Sequence, residues 1–223
     1  MAQGAAHGAR AEKTRAGILA AAEEFFAERG FDATRLEDIA ERVGIRRASI
    51  VYYFKDKRAL YDAVLEDVFG GLHDALAEVL VRGKTLTEQI EVGVSAWVDY
   101  VGRRPSIARL VLREVADANR ERGSGVLEQT QRLRQLLQHE VLDRPNRKQT
   151  KLAAVDPVHL ASAVAGATIF FVAAMPTLVP DLGFDPLSRE QLEIHKQEVL
   201  HIAQRLLERG VERGRCQMLN LPR

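Results

Sequence analysis

Residues 34–57 read TRLEDIAERVGIRRASIVYYFKDK, and the patterning of this stretch decides how the rest of the chain is read. Leu36, Ile39, Ala40 and Val43 recur at helical spacing and predict a short amphipathic helix. Thr34, with Glu37 three residues on, has the spacing of a capping box that starts this helix. Gly44 supplies the turn, and a second short helix follows over about Arg46 to Tyr53. Two such helices about a glycine turn have the spacing of a helix-turn-helix, whose second helix enters the major groove of DNA. Charge is segregated to match. From Arg42 to Arg58 there are six basic residues (Arg42, Arg46, Arg47, Lys55, Lys57 and Arg58) against Asp56 alone, a local charge of +5 in a chain of formal net charge +1. Such a cluster binds phosphates even where the global charge is near zero. Arg42 is also placed to pair with Asp38 one helical turn earlier, the preferred reading for that residue.

Working outward, the 3.6-residue period persists through nearly the whole chain and no alternating strand pattern stands out. A helix is predicted over about Glu12 to Arg29, with Ile18, Ala22, Phe25 and Phe26 as its stripe, Gly30 at its left-handed end and Phe31 packing back. Residues 1–11 are small and polar, lack the apolar segment of a secretory signal, and are read as a flexible arm. Asp56 caps a helix carrying Leu60, Val64 and Val68 and continuing to Leu80, in which Gly70-Gly71 marks either a bend or a break. Thr85-x-x-Glu88 opens a helix containing Trp97 and Tyr100, and Pro105 separates it from another through Leu110 and Val115. After a loop at 119–125, further helices are predicted over about 126–142 and from Asp156-Pro157 to near Met175. A proline-rich loop spans 176–186. Ser188-x-x-Gln191 opens the last helix, with Leu192, His195, Val199, Ile202 and Leu206 on one face. The expectation is an all-α chain of about nine helices. Residues 12–72 form the helix-turn-helix domain (the motif itself at about 34–54), and residues 73–215 form a second helical domain.

Several function classes are disfavoured. With 46% hydrophobic and 28% charged residues over 223 positions, the composition is globular. Cys216 is the sole cysteine, so no intrachain disulfide exists and a cytoplasmic location fits. Between Pro157 and Pro180 the only ionisable side chain is His159, and the run is long enough to cross a bilayer. Its richness in Ala, Ser, Gly and Thr, and its prolines, instead favour a buried or dimer-forming helix and no membrane partner. His159 itself is read as a hydrogen-bonded core or interface histidine. Enzyme motifs are missing: there is no HExxH, GxSxG or CxxC. Gly83-Lys84-Thr85 ends like a phosphate loop, but Glu78 occupies the place of the required earlier glycine. No catalytic residue, metal ligand or cofactor is therefore assigned.

Phe31, Thr34, Ile39-Ala40, Gly44-Ile45, Ser49-Ile50, Tyr52-Tyr53-Phe54, Lys57 and Leu60 together resemble the N-terminal domain of the TetR family of transcriptional regulators. The resemblance is close over residues 12 to about 72 and beyond that rests on length and helix order. It implies that Arg47, Ala48, Val51 and Tyr52 face base edges. It implies further that Thr34, Ser49, Tyr53 and Lys57 touch phosphates, while Ile39, Ala40, Ile45, Ile50 and Phe54 hold the two helices together. Arg47 can reach guanine O6 and N7 in bidentate fashion. Tyr52 is placed outward, and Tyr53 stands either at the phosphate or partly in the core with its hydroxyl exposed. Three positions depart from the family pattern. Arg46, also placed in the DNA-binding set, stands where Ser or Thr caps the recognition helix. Ala48 replaces a frequent Gly or Pro, and Val51 a frequent Tyr. These departures bear on which operator is read. The resemblance also implies a small-molecule effector cavity in the C-terminal domain, with Trp97, Tyr100, Arg113, Leu136, Phe170, Phe171 and Met175 as candidate lining. Arg113 faces either an acidic ligand or the surface beside Glu114 or Asp117. Finally, it implies a homodimer through the last two helices that sets two recognition helices about 34–36 Å apart on double-stranded palindromic DNA.

Overall fold

The computed structural model describes residues 2–83, 85–116, 125–142 and 157–219. Among these residues there are ten α-helices and no strand. The chain divides into two compact units, Met1–Gly70 with Arg109–Gln129, and Gly71–Ala108 with Thr130–Arg223. The contiguous division expected at residues 72/73 therefore differs from the structure at Arg109–Gln129, which groups with the N-terminal unit.

The N-terminal unit is built on α1 (Ala2–Ala33), α2 (Leu36–Val43), α3 (Arg47–Tyr53) and the first half of α4 (Lys57–Leu80). The segment read as a flexible arm is helical from Ala2. Near its other end α1 breaks at Gly30, whose φ of 78° and ψ of 177° lie in a region open essentially to glycine alone. The core is made by Ile18, Ala22 and Phe26 of α1, Ile39 of α2, Ile50 of α3 and Leu60 and Val64 of α4, all nearly or wholly inaccessible. Phe26, Phe31 and Tyr61 form an aromatic cluster with edge contacts of 4.8 Å and 5.2 Å onto Tyr61. Two ion pairs join α1 to α2, Arg29–Asp38 and Arg42–Glu24, each at 2.7 Å. The expected Arg42–Asp38 pair within α2 is thus replaced by partners on α1, which runs alongside.

From α6 (Ser106–Ala116), the segment beginning at Arg109 belongs to this unit. Arg113 donates from Nε to the Ala27 carbonyl at 2.9 Å and from Nη2 to the Glu28 carbonyl. These are carbonyls of the α1 turn that Gly30 interrupts, so a cation completes a helix end there. The Tyr61 hydroxyl donates to Glu114.

The second unit contains the rest of α4, α5 (Leu86–Arg103), the part of α7 (Gly125–Leu137, extended by a π-turn over Gln138–Leu142) from Thr130 onward, α8 (Pro157–Ala173), α9 (Met175–Leu178) and α10 (Arg189–Leu219). The Thr85–Glu88 capping box of α5 is formed in both directions. Pro157 begins α8, and Ser188 Oγ accepts from the Gln191 N–H at the start of α10. The proline-rich loop contains most of α9 and a 3-10 turn over Pro180–Leu182. Towards α5, α10 turns Val199 and Ala203, both buried, whereas Ile202 is exposed, so the predicted face is rotated by about one position.

Gly70-Gly71 is not a break between helices. It lies inside α4, and a Cβ on Gly71 would sit 2.8 Å from the Tyr100 hydroxyl of α5. Close helix approach is what requires glycine there. Gly71→Ala is expected to cost about 1–2 kcal/mol through overpacking, even though alanine is the better helix former. In the Tyr100→Phe background the same change becomes stabilising. Thermal denaturation of the four proteins of this cycle checks it, and a Gly71→Ala single variant more stable than the parent would contradict the close approach.

Candidate nucleic-acid interface

The turn between α2 and α3 is set by Gly44, whose φ of 73° and ψ of 33° are left-handed. The Ile45 N–H reaches the Ala40 carbonyl at 2.9 Å and the Gly44 N–H that of Glu41 at 3.1 Å, closing the end of α2 in a Schellman pattern. Ile50 and Phe54 turn inward from α3 and are buried. The opposite face therefore presents Arg47, Ala48, Val51 and Tyr52 side by side, all exposed, with Tyr52 at 83%. An exposed apolar–aromatic strip of this kind on a soluble helix is unusual without a partner. Tyr53 is half-buried beside Tyr52, the two rings meeting edge-on at 5.2 Å, and Ser49 is half-buried. Arg46 is exposed and no side chain caps the start of α3. A cleft of ≈ 500 Å³ lies beside this face, lined in part by Arg35, Glu37, Arg47, Val51 and Lys55.

Two of the residues expected at phosphates are turned to other work. Thr34 is 1% exposed, and its hydroxyl donates to the Gly30 carbonyl at 2.7 Å, with the Phe25 carbonyl at 3.2 Å. It neither caps α2, whose N-cap is Arg35 without a side-chain bond, nor faces outward. Lys57 Nζ donates to the carbonyls of Phe31 (2.7 Å), Asp32 (3.2 Å) and Thr34 (3.0 Å) and lies 4.5 Å from the centre of the Phe31 ring. An ammonium has three protons, so these three carbonyls leave none for a phosphate. Asp56 does cap α4 as expected, accepting from the Ala59 N–H at 2.8 Å.

Glu37, read from sequence only as a capping residue, is the site residue that was missed. Its carboxylate meets Arg47 Nε at 3.0 Å across the turn. No local pattern signals a pair ten positions apart on different helices.

None of the effector candidates lines either of the two clefts described here. Arg113 is engaged with the Ala27 and Glu28 carbonyls of α1, a partner that neither expected alternative named, and Asp117 lies outside the described residues. Phe170 is 51% exposed, and His159 is exposed, which removes the core reading of that residue and leaves the interface one. Leu136 and Met175 are half-buried, while Trp97 and Tyr100 are buried. Phe171 stacks on His195 at 4.0 Å and meets Phe184 edge-on, and burial pushes the His195 imidazole below its ordinary value. A groove of ≈ 620 Å³ in this unit runs instead along Val79, Ala96, Asp99, Leu192 and Lys196. Among the described residues no helix is long and apolar enough to cross a membrane.

Two short helices joined by a left-handed glycine turn, the second burying Ile50 on one face and exposing Arg47, Val51 and Tyr52 on the other, form a helix-turn-helix. Residues 18–64 match the model of the bacterial regulatory proteins, tetR family. The transcriptional regulator RutR of Escherichia coli O157:H7 is 34% identical over 149 residues, 64% of this chain and 66% of RutR, so the match spans just under two thirds of that relative. A TetR family transcription regulator from Marinobacter aquaeolei VT8 superposes with a TM-score of 0.64 at 22% identity, covering 86% of this chain and 96% of that one. FadR from Bacillus subtilis, solved in complex with stearoyl-CoA, does so with a TM-score of 0.60 at 17% identity, covering 87% and 96%. Over residues 18–64 the chain is thus of the tetR helix-turn-helix type, and its fold as a whole is that of these solved regulators.

Proposed function

We propose that this protein is a cytoplasmic transcriptional repressor that binds a palindromic operator as a homodimer and leaves it when a small, largely apolar effector occupies the C-terminal unit. The observation that carries this reading is the outward face of α3, where Arg47, Ala48, Val51 and Tyr52 project together beside the basic residues Arg46 and Lys55. Arg47 reads a guanine, Ala48, Val51 and Tyr52 supply apolar contact to neighbouring base edges, and Ser49 and Tyr53 touch phosphates. Dimerisation through α8 and α10 is supported by Phe170, Ile194 and Ile202, large apolar side chains exposed on those two helices. An effector site is supported by the resemblance to the TetR family and by two buried polar atoms on α5, Trp97 Nε1 and Gln89 Oε1, that have no hydrogen-bond partner.

Selection of the purified protein on random-sequence duplex DNA at two salt concentrations tests the reading. Recovery of a palindrome supports it, and failure to enrich any sequence with the protein folded rejects it. On the recovered site, Arg47→Ala is expected to cost about 1–3 kcal/mol and to relax preference at one base pair per half-site. Unchanged affinity and preference would remove Arg47 from the base-reading set.

A further inference from the structure

We infer that Glu37 is a specificity-determining positioning residue: it holds the Arg47 guanidinium by its inner edge so that the outer edge addresses one guanine. The inference rests on the proposed base-reading role of Arg47. Glu37 lies in the first turn of α2, whose position is fixed by buried Leu36 and Ile39, so its carboxylate projects from a rigid base. Glu37 Oε1 meets Nε of Arg47 at 3.0 Å. Nε is the atom nearest the aliphatic stem. An ion pair made through Nε leaves Nη1 and Nη2, the fork that matches O6 and N7 of guanine, outside the contact.

An arginine on an exposed helix otherwise samples many rotamers, and each rotamer reaches a different phosphate or base. Ordering it before contact lowers the entropy lost on binding the right base and leaves the wrong bases facing a misaligned fork. The carboxylate has a second effect. It places a negative charge among the residues lining the cleft beside the exposed face of α3, so it opposes phosphate contact by the same arginine. Arg47 is thereby steered from sequence-independent backbone binding towards base reading. With both side chains more than half exposed, the pair contributes little to folding, and its consequence falls on recognition.

The test compares wild type, Glu37→Gln, Arg47→Ala and the double variant, each selected on the same random-sequence duplex pool and then titrated with the enriched and a scrambled duplex. Thermal melting checks that each variant is folded. Glu37→Gln is expected to reduce discrimination at the Arg47-dependent base pair roughly two- to fivefold, the range of one exposed ion pair. Affinity for the scrambled duplex rises at the same time. In the Arg47→Ala background the Glu37→Gln change no longer alters discrimination. A purely structural role would weaken both duplexes alike. If Arg47→Ala relaxes preference but Glu37→Gln does not, the positioning role is overturned and the base-reading role stands. If Glu37→Gln tightens both duplexes equally, Glu37 merely competes for Arg47 and positioning is again overturned. If Arg47→Ala itself changes no preference, both readings fall together.

Discussion

Phe26→Ala is expected to lower stability by about 3–5 kcal/mol, the cost of a large aromatic lost from a packed interior. Phe26 is 0% exposed, and its ring stands 4.8 Å from Tyr61 and 6.1 Å from Phe31. Those neighbours cannot close the gap. Tyr61 is anchored by its hydroxyl to Glu114, and Phe31 follows the Gly30 break in α1 and carries Lys57 over its face. A site whose walls are tied elsewhere relaxes little, so the value should fall at the upper end. Urea denaturation followed by far-UV circular dichroism checks it, with Phe26→Leu as the milder comparison at about 1 kcal/mol. A loss below about 1 kcal/mol for the alanine variant would mean that this cluster is not the core of the unit.

Lys57→Ala is expected to cost about 2–3 kcal/mol, because hydrogen bonds from a charged donor are worth more than neutral ones and three are removed at once. The carbonyls of Phe31, Asp32 and Thr34 lie where α1 ends and the chain turns towards α2, a place where carbonyls lack helical partners and negative helix-end charge accumulates. Lys57 enters from the start of α4 and closes that corner. Lys57→Met retains most of the stem and should lose nearly as much, which separates the charge from the packing. DNA binding supplies the opposing measurement. A lysine bound to phosphate would leave stability unchanged when removed and flatten the salt dependence of affinity by about one unit. An ammonium occupied by three carbonyls predicts the reverse, a lowered melting temperature with the salt slope of the folded protein unaltered.

The helical class, the positions of most helices and the exposed face of α3 were legible because they follow from short-range rules. Hydrophobic spacing places Ile39 and Ile50 inward, Gly44 is where only a left-handed turn fits, and Asp56 and Thr85 cap the residues that follow them. Once Ile50 and Phe54 are buried, helix geometry alone puts Arg47, Ala48, Val51 and Tyr52 on the other side.

What the sequence could not determine was the partner of each polar side chain. Thr34, Lys57 and Arg113 each have the chemistry to bind a phosphate or an acidic ligand, and each is instead engaged with backbone carbonyls of α1 or of the turn that follows it. That outcome depends on the break at Gly30, which frees those carbonyls, and on α4 and α6 passing beside them. Gly71 poses the same difficulty, because a glycine pair inside a helix has no local meaning until Tyr100 of α5 is found against it. The Glu37–Arg47 pair exists only because the turn at Gly44 folds one helix back over the other. Local periodicity thus determined which residues are helical and which face solvent. The tertiary arrangement decided which charges remain available to a ligand, since hydrogen-bond partners are chosen by distance in space and many of the nearest ones here lie 20 to 90 positions away.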